Sequence, residues 1–332
     1  LDEWLRRFYR SCTLCPRACG VDRLAGERGY CRESATPRIA VIEAHMGEEP
    51  PLSGTNGSGT VFFSGCSLRC VYCQNIQISQ QGIGRPWSVP SIVARIRTLH
   101  QQQGIHNINF VTPDHFFPHT IAVVERLQTL GISLPVVYNV SGYQALSALR
   151  LIEPLADIYL PDFKYADASL AENLSRAPDY PEVALTAIAQ MVRRKGFLDS
   201  CPAGDSAPAR AGVLVRHLIL PGHIENSLTA LDMLYAEFGA SLPVSLMAQY
   251  SPPRRFADGS PLNRTLTEDE YLLVLERALA LGFKHLFAQD LQDLIQGPRL
   301  FLPDFGRTRP FCGNPNPAGP TRRPQESSCF GR

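Results

Sequence analysis

No run in the chain approaches the roughly 18 uninterrupted apolar residues that a membrane-spanning helix needs, which argues against a helical membrane protein. Charge of one sign is also missing. Lys and Arg number 32 against 31 Asp and Glu, a net charge of +1, so no global field draws nucleic acid or an anionic membrane. Neither a basic stripe nor an aromatic-interleaved patch supports RNA binding. The amino end, Leu1-Asp2-Glu3-Trp4-Leu5-Arg6-Arg7, lacks the charged-then-apolar order of a secretion signal. It also lacks an initiator methionine, so we expect residues upstream of Leu1 and a cytoplasmic protein. No internal repeat is visible. The 332 residues present are enough for one large α/β domain with an appendage.

Cysteine is what the chain does have. Ten cysteines in a chain with no export signal read as metal ligands before they read as disulfides. Seven lie in the first 73 residues, while Cys201, Cys312 and Cys329 are isolated and are expected to be inert. Cys66, Cys70 and Cys73 follow the apolar run Val61-Phe62-Phe63 and the dipeptide Ser64-Gly65. A [4Fe–4S] cluster normally takes four cysteine ligands, so a tight group of three implies one iron open to something other than protein. Zinc completed by a distant fourth ligand is the competing reading, although zinc cysteines usually come in pairs. A strand-like run ending in a ligand-rich loop favours a cofactor held at the carboxyl end of a strand.

A second group, Cys12, Cys15, Cys19 and Cys31, places four soft ligands within twenty residues. Gly20, Gly26 and Gly29 punctuate its loops and allow the chain to wrap round a metal. Four thiolates satisfy a tetrahedral zinc or a complete [4Fe–4S] cluster equally well. With no position left open, this centre is expected to be structural or electron-relaying.

Beyond the triplet, short β-rich runs alternate with longer helical patterns. Helices are predicted over residues 89–103 (with Ser91 as cap), 118–130, 143–152, 168–174, 181–195, 225–238 and 267–281, the last with Thr267 and Glu270 in capping-box spacing. Strands are predicted over 108–111, 134–138, 156–160, 213–220, 244–250 and 284–288. Residues 200–210 read as loop. This alternation argues for a parallel sheet with right-handed crossovers. Its six placed βα units fall short of a full eight-stranded barrel and favour an open-sided one. We expect an amino-terminal Cys-rich extension over 1–55, a core over 56–305 and a Pro-rich, disordered tail over 306–332.

The Cys-x3-Cys-x2-Cys spacing, with Tyr72 before the last cysteine, resembles the signature of the radical S-adenosylmethionine (SAM) enzymes. Residues 12–21, 58–66, 138–143, 157–165, and Val215-Arg216-His217-Leu218 leading to Pro221-Gly222, resemble one branch in particular. That branch is the pyruvate formate-lyase activating enzyme-like one, in a subgroup with extra amino-terminal cysteines. The resemblance implies a partial (β/α)6 TIM-like barrel, with Cys66, Cys70 and Cys73 on a [4Fe–4S] cluster whose open iron is chelated by SAM. Tyr72 would lie beside the adenine. The family holds the methionyl amino group with Gly-Gly-Glu at the end of its second strand. Here that position reads Val111-Thr112-Pro113-Asp114, so Thr112, or the Asp114 carboxylate, is the candidate. Asn139, Ser141, Asp162 and Lys164 match polar strand ends of the family, and Arg216 is expected to pair with a carboxylate of SAM or of the protein. Gln249 and Tyr250 are expected at the cavity wall. His45, Glu48 and Glu49 read as a solvated loop.

The resemblance further implies reductive cleavage of SAM to a 5′-deoxyadenosyl radical. It also implies hydrogen abstraction from a glycine of a partner protein, with flavodoxin or ferredoxin as electron donor. A small-molecule substrate, a non-catalytic two-cluster electron-transfer protein and a zinc-bound interaction module are the alternatives.

Overall fold

The computed structural model describes residues 1–200, 207–289 and 302–311. Cys201, Cys312, Cys329 and the tail from residue 312 lie outside the described residues.

Ten strands are described: β1 (Arg38–His45), β2 (Ser58–Phe63), β3 (Arg85–Pro86), β4 (Ile108–Val111), β5 (Val136–Val140), β6 (Ile158–Pro161), β7 (Gly212–Val213), β8 (Val215–Leu218), β9 (Val244–Met247) and β10 (Leu286–Ala288). One sheet runs β3-β1-β2-β4-β5-β6-β7 and a second runs β10-β9-β8. A parallel bridge from Asp162 to Arg216 joins the two at the end of β6. From β2 onward every pairing is parallel, whereas β1 runs antiparallel to both β2 and β3. The architecture is an α/β partial TIM-like barrel, as expected.

Local chemistry explains the element bounds. The helix Val89–Gln103 buries Ile92, Val93, Ile96 and Leu99 and ends at Gly104, whose φ of 64° is left-handed. Its cap is Ser88, not the expected Ser91: the Ser91 N–H donates to the Ser88 hydroxyl. The reason is Pro90, which lacks an N–H and is at home in the first turn, so the helix starts ahead of it. Thr267 and Glu270 form the expected capping box on the helix Glu268–Leu281.

The single strand expected over 213–220 is two. The Leu214 N–H donates to the Tyr159 carbonyl on β6, and the Val215 N–H to the Pro243 carbonyl ahead of β9. The chain thus changes partner at that point. The expected strand over 134–138 lies two residues further on, at β5. β1 was not expected as a strand. It pairs with β2 from Ile39 opposite Phe63 to His45 opposite Ser58.

At the amino end, Asp2 caps the helix Glu3–Arg10 by accepting from the Leu5 N–H at 2.9 Å. Its Leu5 and Tyr9 are buried, and the Tyr9 hydroxyl meets His119 Nδ1 at 2.7 Å. That contact seats the amino-terminal region on the helix Phe117–Thr129.

Candidate active site

β2 is buried along its whole length and delivers Cys66 through Gly65, which holds a left-handed φ of 79°. A Cβ at Gly65 would meet the Cys31 carbonyl at 2.7 Å, so glycine is required for this approach. The loop turns again at Arg69, with φ of 55°. Cys66 Sγ accepts the N–H groups of Leu68 (3.3 Å) and Arg69 (3.4 Å), and Cys73 Sγ accepts the Ser79 hydroxyl (3.3 Å). Burial, with the neighbouring cysteines, pushes the Cys66 thiol far up and the Cys73 thiol up to about 11. Uncoordinated, the Cys66 and Cys73 thiols would stay protonated; as thiolates they need metal to balance them.

A cavity of about 780 Å³ opens above this loop. Its wall contains Cys66, Cys70 and Cys73 together with Tyr72, Thr112, Asn139, Ser141, Asp162, Lys164 and Arg216. The structure therefore brings together all ten residues expected at the cluster and SAM. No fourth cysteine joins them among the described residues. No group of three or more His, Cys, Asp or Glu side chains among the described residues is arranged to hold a single metal ion. A cubane makes no such demand, since its thiolates bind different irons. The soft three-sulfur donor set, its N–H and O–H donors and the open space beside it fit a cluster with one free iron.

The strand ends supply the polar wall. Lys164 Nζ meets Asp162 Oδ2 at 2.6 Å. Burial alone would lower Lys164, but Asp162 and the Cys70 sulfur hold it above its ordinary value. Ser141 Oγ is buried and has no hydrogen-bond partner among the described residues, an orphaned hydroxyl in a cavity wall. Thr112 holds a φ of 52°, costly for a β-branched residue, while its N–H donates to the Asn139 carbonyl. Asp114, the other candidate at that turn, faces away. It accepts from Ser67 Oγ (2.7 Å) and Gln144 Nε2 (3.1 Å), and burial raises it to about 6.

Tyr72 is buried, edge-on to Tyr165 and Tyr250. Gln249 lines the cavity and its carbonyl takes the Gln74 amide at 2.7 Å. Tyr250 packs behind Tyr72 and donates to the Leu262 carbonyl.

Arg216 lines the cavity, but its guanidinium is already engaged by Glu48 and Glu49. The expectation of a solvated loop there is overturned, since these two carboxylates are 5% and 9% exposed. A cation inside the barrel needs counter-charge, and the turn ahead of β2 supplies it. Asn109 Nδ2 donates to Glu48 at 2.8 Å, which steers that side chain inward. Burial would raise Glu49, but Arg216 and the Ser245 hydroxyl outweigh it and hold the carboxyl below its usual range. His45 packs on Phe62 and Phe311 and is lowered by burial.

Sequence reasoning also missed Tyr180. Its hydroxyl accepts from the Lys164 N–H (2.9 Å) and lies 2.8 and 2.9 Å from the Ser141 and Asp162 carbonyls, tying two strand ends together. A Cβ at Gly142 would fall 2.1 Å from the Asp162 carbonyl. No local signal marks Tyr180. The third unforeseen element is the segment 302–311, from which Pro303, Thr308, Arg309 and Phe311 line the cavity. Phe305 and Phe311 pack on Phe62 at 5.5 and 5.3 Å.

None of the four amino-terminal cysteines lines this cavity. Cys12 and Cys31 are buried, Cys15 is half-buried and Cys19 is exposed. Burial pushes Cys15 up to about 12 and raises Cys31, with Cys12 adding to both. Arg17 binds this region to the core by donating to the carbonyls of Ser67, Ser175 and Arg176.

Residues 60–199 match the Radical SAM superfamily. The uncharacterized protein MJ0674 of Methanocaldococcus jannaschii is 28% identical over 290 residues, covering 85% of this chain and 77% of that protein. Among solved structures, Streptococcus suis SuiB bound to the precursor peptide SuiA aligns with a TM-score of 0.45 and 10% identity, over 68% of this chain and 46% of that one. Methylornithine synthase (PylB) aligns with a TM-score of 0.43 and 16% identity, over 67% and 60%. The chain thus spans about half the length of these solved proteins. The stretch that matches the Radical SAM superfamily, residues 60–199, holds the Cys66–Cys73 loop and the polar strand ends from Thr112 to Lys164.

Proposed function

We propose that this protein is a radical SAM enzyme of the pyruvate formate-lyase activating enzyme-like type. The observation that carries the reading is the set of three cysteines, with no fourth among the described residues, on the wall of a cavity shared with seven polar or aromatic SAM candidates. SAM bound at the open iron of a [4Fe–4S] cluster supplies a 5′-deoxyadenosyl radical on one-electron reduction.

The rest is the work of the chain. Cys66, Cys70 and Cys73 hold the cluster, and the N–H groups of Leu68 and Arg69 stabilise the charge on Cys66 Sγ. Ser141 offers its unpartnered hydroxyl, and Asn139, Asp162 and Lys164 offer polar groups to the methionyl and ribose parts. Thr112 stands where the family binds the amino group, and its left-handed turn aims the strand end at the cavity. Arg216, fixed by Glu48 and Glu49, presents a positioned charge instead of a free one. Tyr72 gives the adenine an aromatic wall, and the buried aromatic residues around it exclude water from a reactive intermediate.

The stretches shared with the activating enzymes support glycyl hydrogen abstraction from a partner protein, with flavodoxin or ferredoxin as donor. A small-molecule substrate is the second reading, favoured by the segment 302–311, from which four side chains wall the cavity.

Anaerobically reconstituted protein with SAM and dithionite should form 5′-deoxyadenosine, and Cys70→Ala should not. Absence of that product from the wild type removes the enzyme and leaves the two-cluster electron carrier. A glycyl-radical signal in a candidate partner from the same genomic neighbourhood separates the two substrate classes.

A further inference from the structure

Charge is unevenly spread over the cavity wall, and one group of charges lies deep. Glu48 and Arg216 line the cavity, and Glu49 is the second partner of Arg216, so two carboxylates meet one guanidinium. Both Glu48 oxygens accept, Oε1 from Asn109 Nδ2 at 2.8 Å and Oε2 from Arg216 Nη2, which is the bonding of a carboxylate. The Asn109 side chain is fully buried, and its Oδ1 has no hydrogen-bond partner among the described residues. Excess negative charge and a stranded acceptor therefore lie together. Both call for a cation that donates hydrogen bonds. His45 does not supply it, because burial lowers the imidazole and keeps it neutral.

The other group lies further out and has the opposite sign. Glu43 of β1 shares the wall with Arg95 and the exposed Arg309, one carboxyl against two guanidinium groups. Burial raises the Glu43 carboxyl to about 7, against the pull of Arg95 and Arg309, so the excess here is positive. Arg95 is held by the Ile42 carbonyl at 3.1 Å, whereas Glu43 and Arg309 form no hydrogen bond or ion pair among the described residues. The charges acting on Glu43 are Arg95 and Arg309; those acting on His45, two residues along, are Glu48 and Arg216. The two groups thus stand apart. Phe62 and Phe311, which hold the His45 ring, give the same wall an apolar surface. The remaining charges on the wall, Asp162 and Lys164, neutralise each other.

We infer that the cavity takes, beside SAM, a zwitterionic small molecule with its ammonium end on Glu48 and Asn109 Oδ1 and its anionic end at Arg95 and Arg309. Small-molecule pockets start at roughly 300 Å³, and this cavity has about 780 Å³, which leaves room for a second molecule. An amine alone answers only the deep group, and an anion alone only the outer one. One ligand carrying both charges answers both. Separated groups call for separated ends joined by an apolar stretch, as in an ω-amino acid. This names the substrate class of the small-molecule reading and rests on that reading, while the binding itself needs no radical chemistry.

The test is calorimetric titration of the anaerobically reconstituted protein, with SAM present, against γ-aminobutyrate and ε-aminocaproate. Hexylamine, caproate and glycine are the controls. One of the two ω-amino acids should bind at least about tenfold more tightly than any control. Glu48→Gln should weaken it by about tenfold or more. Arg309→Gln, at an exposed residue, should weaken it by about threefold, and by less at high salt. That second variant breaks no bond of the fold, so its result stands even where Glu48→Gln does not fold. No preference for an ω-amino acid over the controls overturns the inference, as does binding that Arg309→Gln leaves unchanged. A Glu48→Gln protein that loses SAM affinity and keeps the ω-amino acid assigns the deep charge to SAM, which overturns it too. Failure of the radical SAM reading looks different: the wild type makes no 5′-deoxyadenosine, and the zwitterion still binds.

Discussion

The two cysteine groups meet different surroundings. Cys66, Cys70 and Cys73 face a cavity and are flanked by polar strand ends. Cys12 and Cys31 face a buried guanidinium and aromatic rings, and Cys19 faces solvent. The difference is one of coordination and access. Three cysteines stand beside open volume, whereas the amino-terminal four line no part of that cavity. The same contrast holds for the two buried cations. Arg216 is matched by two carboxylates that predate any ligand, while Arg23 is matched by carbonyls and sulfur.

The largest effect should come from comparing one cysteine of each group. Cys73→Ala should abolish 5′-deoxyadenosine formation with either dithionite or a reduced ferredoxin. Cys15→Ala, outside the cavity wall, should keep most of the dithionite-driven yield. Equal loss in both variants would erase the distinction between the two groups.

Next in size is Arg216→Met, which strands two buried carboxylates. It should cost about 3–5 kcal/mol, read as a fall in Tm on the order of 10 °C. The associated pH dependence has a definite sign. Glu49 is held below its unfolded value near 4.5, so its contribution is present above that pH and is lost as pH falls through the lower folded value. Wild-type Tm should therefore drop more steeply below about pH 4.5 than that of Glu49→Gln. Parallel curves would show that Arg216 does not depend on Glu49.

Arg17→Ala cuts three hydrogen bonds between the regions and should cost about 2 kcal/mol in thermal melts. The smallest change is Thr112→Gly. Relief of the left-handed φ should raise stability by roughly 1 kcal/mol, while SAM affinity measured by titration falls with the lost hydroxyl. A gain in both would remove Thr112 from the binding wall.

Much of the site is legible along the chain because its parts are short and local. The Cys66–Cys73 loop, the strand Ile108–Val111 and the Asp162/Lys164 pair each lie within a few residues, where spacing speaks directly. β1 escaped notice because Arg38, Glu43 and His45 interrupt its apolar alternation, and only the antiparallel pairing with β2 makes it a strand. Tyr180 escaped because its three partners come from the ends of β5 and β6, and nothing next to it in sequence calls for them.

By itself, the sequence determined the cysteine spacing: three thiols after a buried strand, four in the loops before it. Ligand spacing is a local property of the backbone. The tertiary structure decided which charges stand free. Arg216 meets Glu49 across 167 residues and Arg23 meets His115 across 92. Asp114 turns to Ser67 across 47 residues and away from the cavity. A buried charge is settled by whatever partner the fold brings within reach, and that partner is not written beside it.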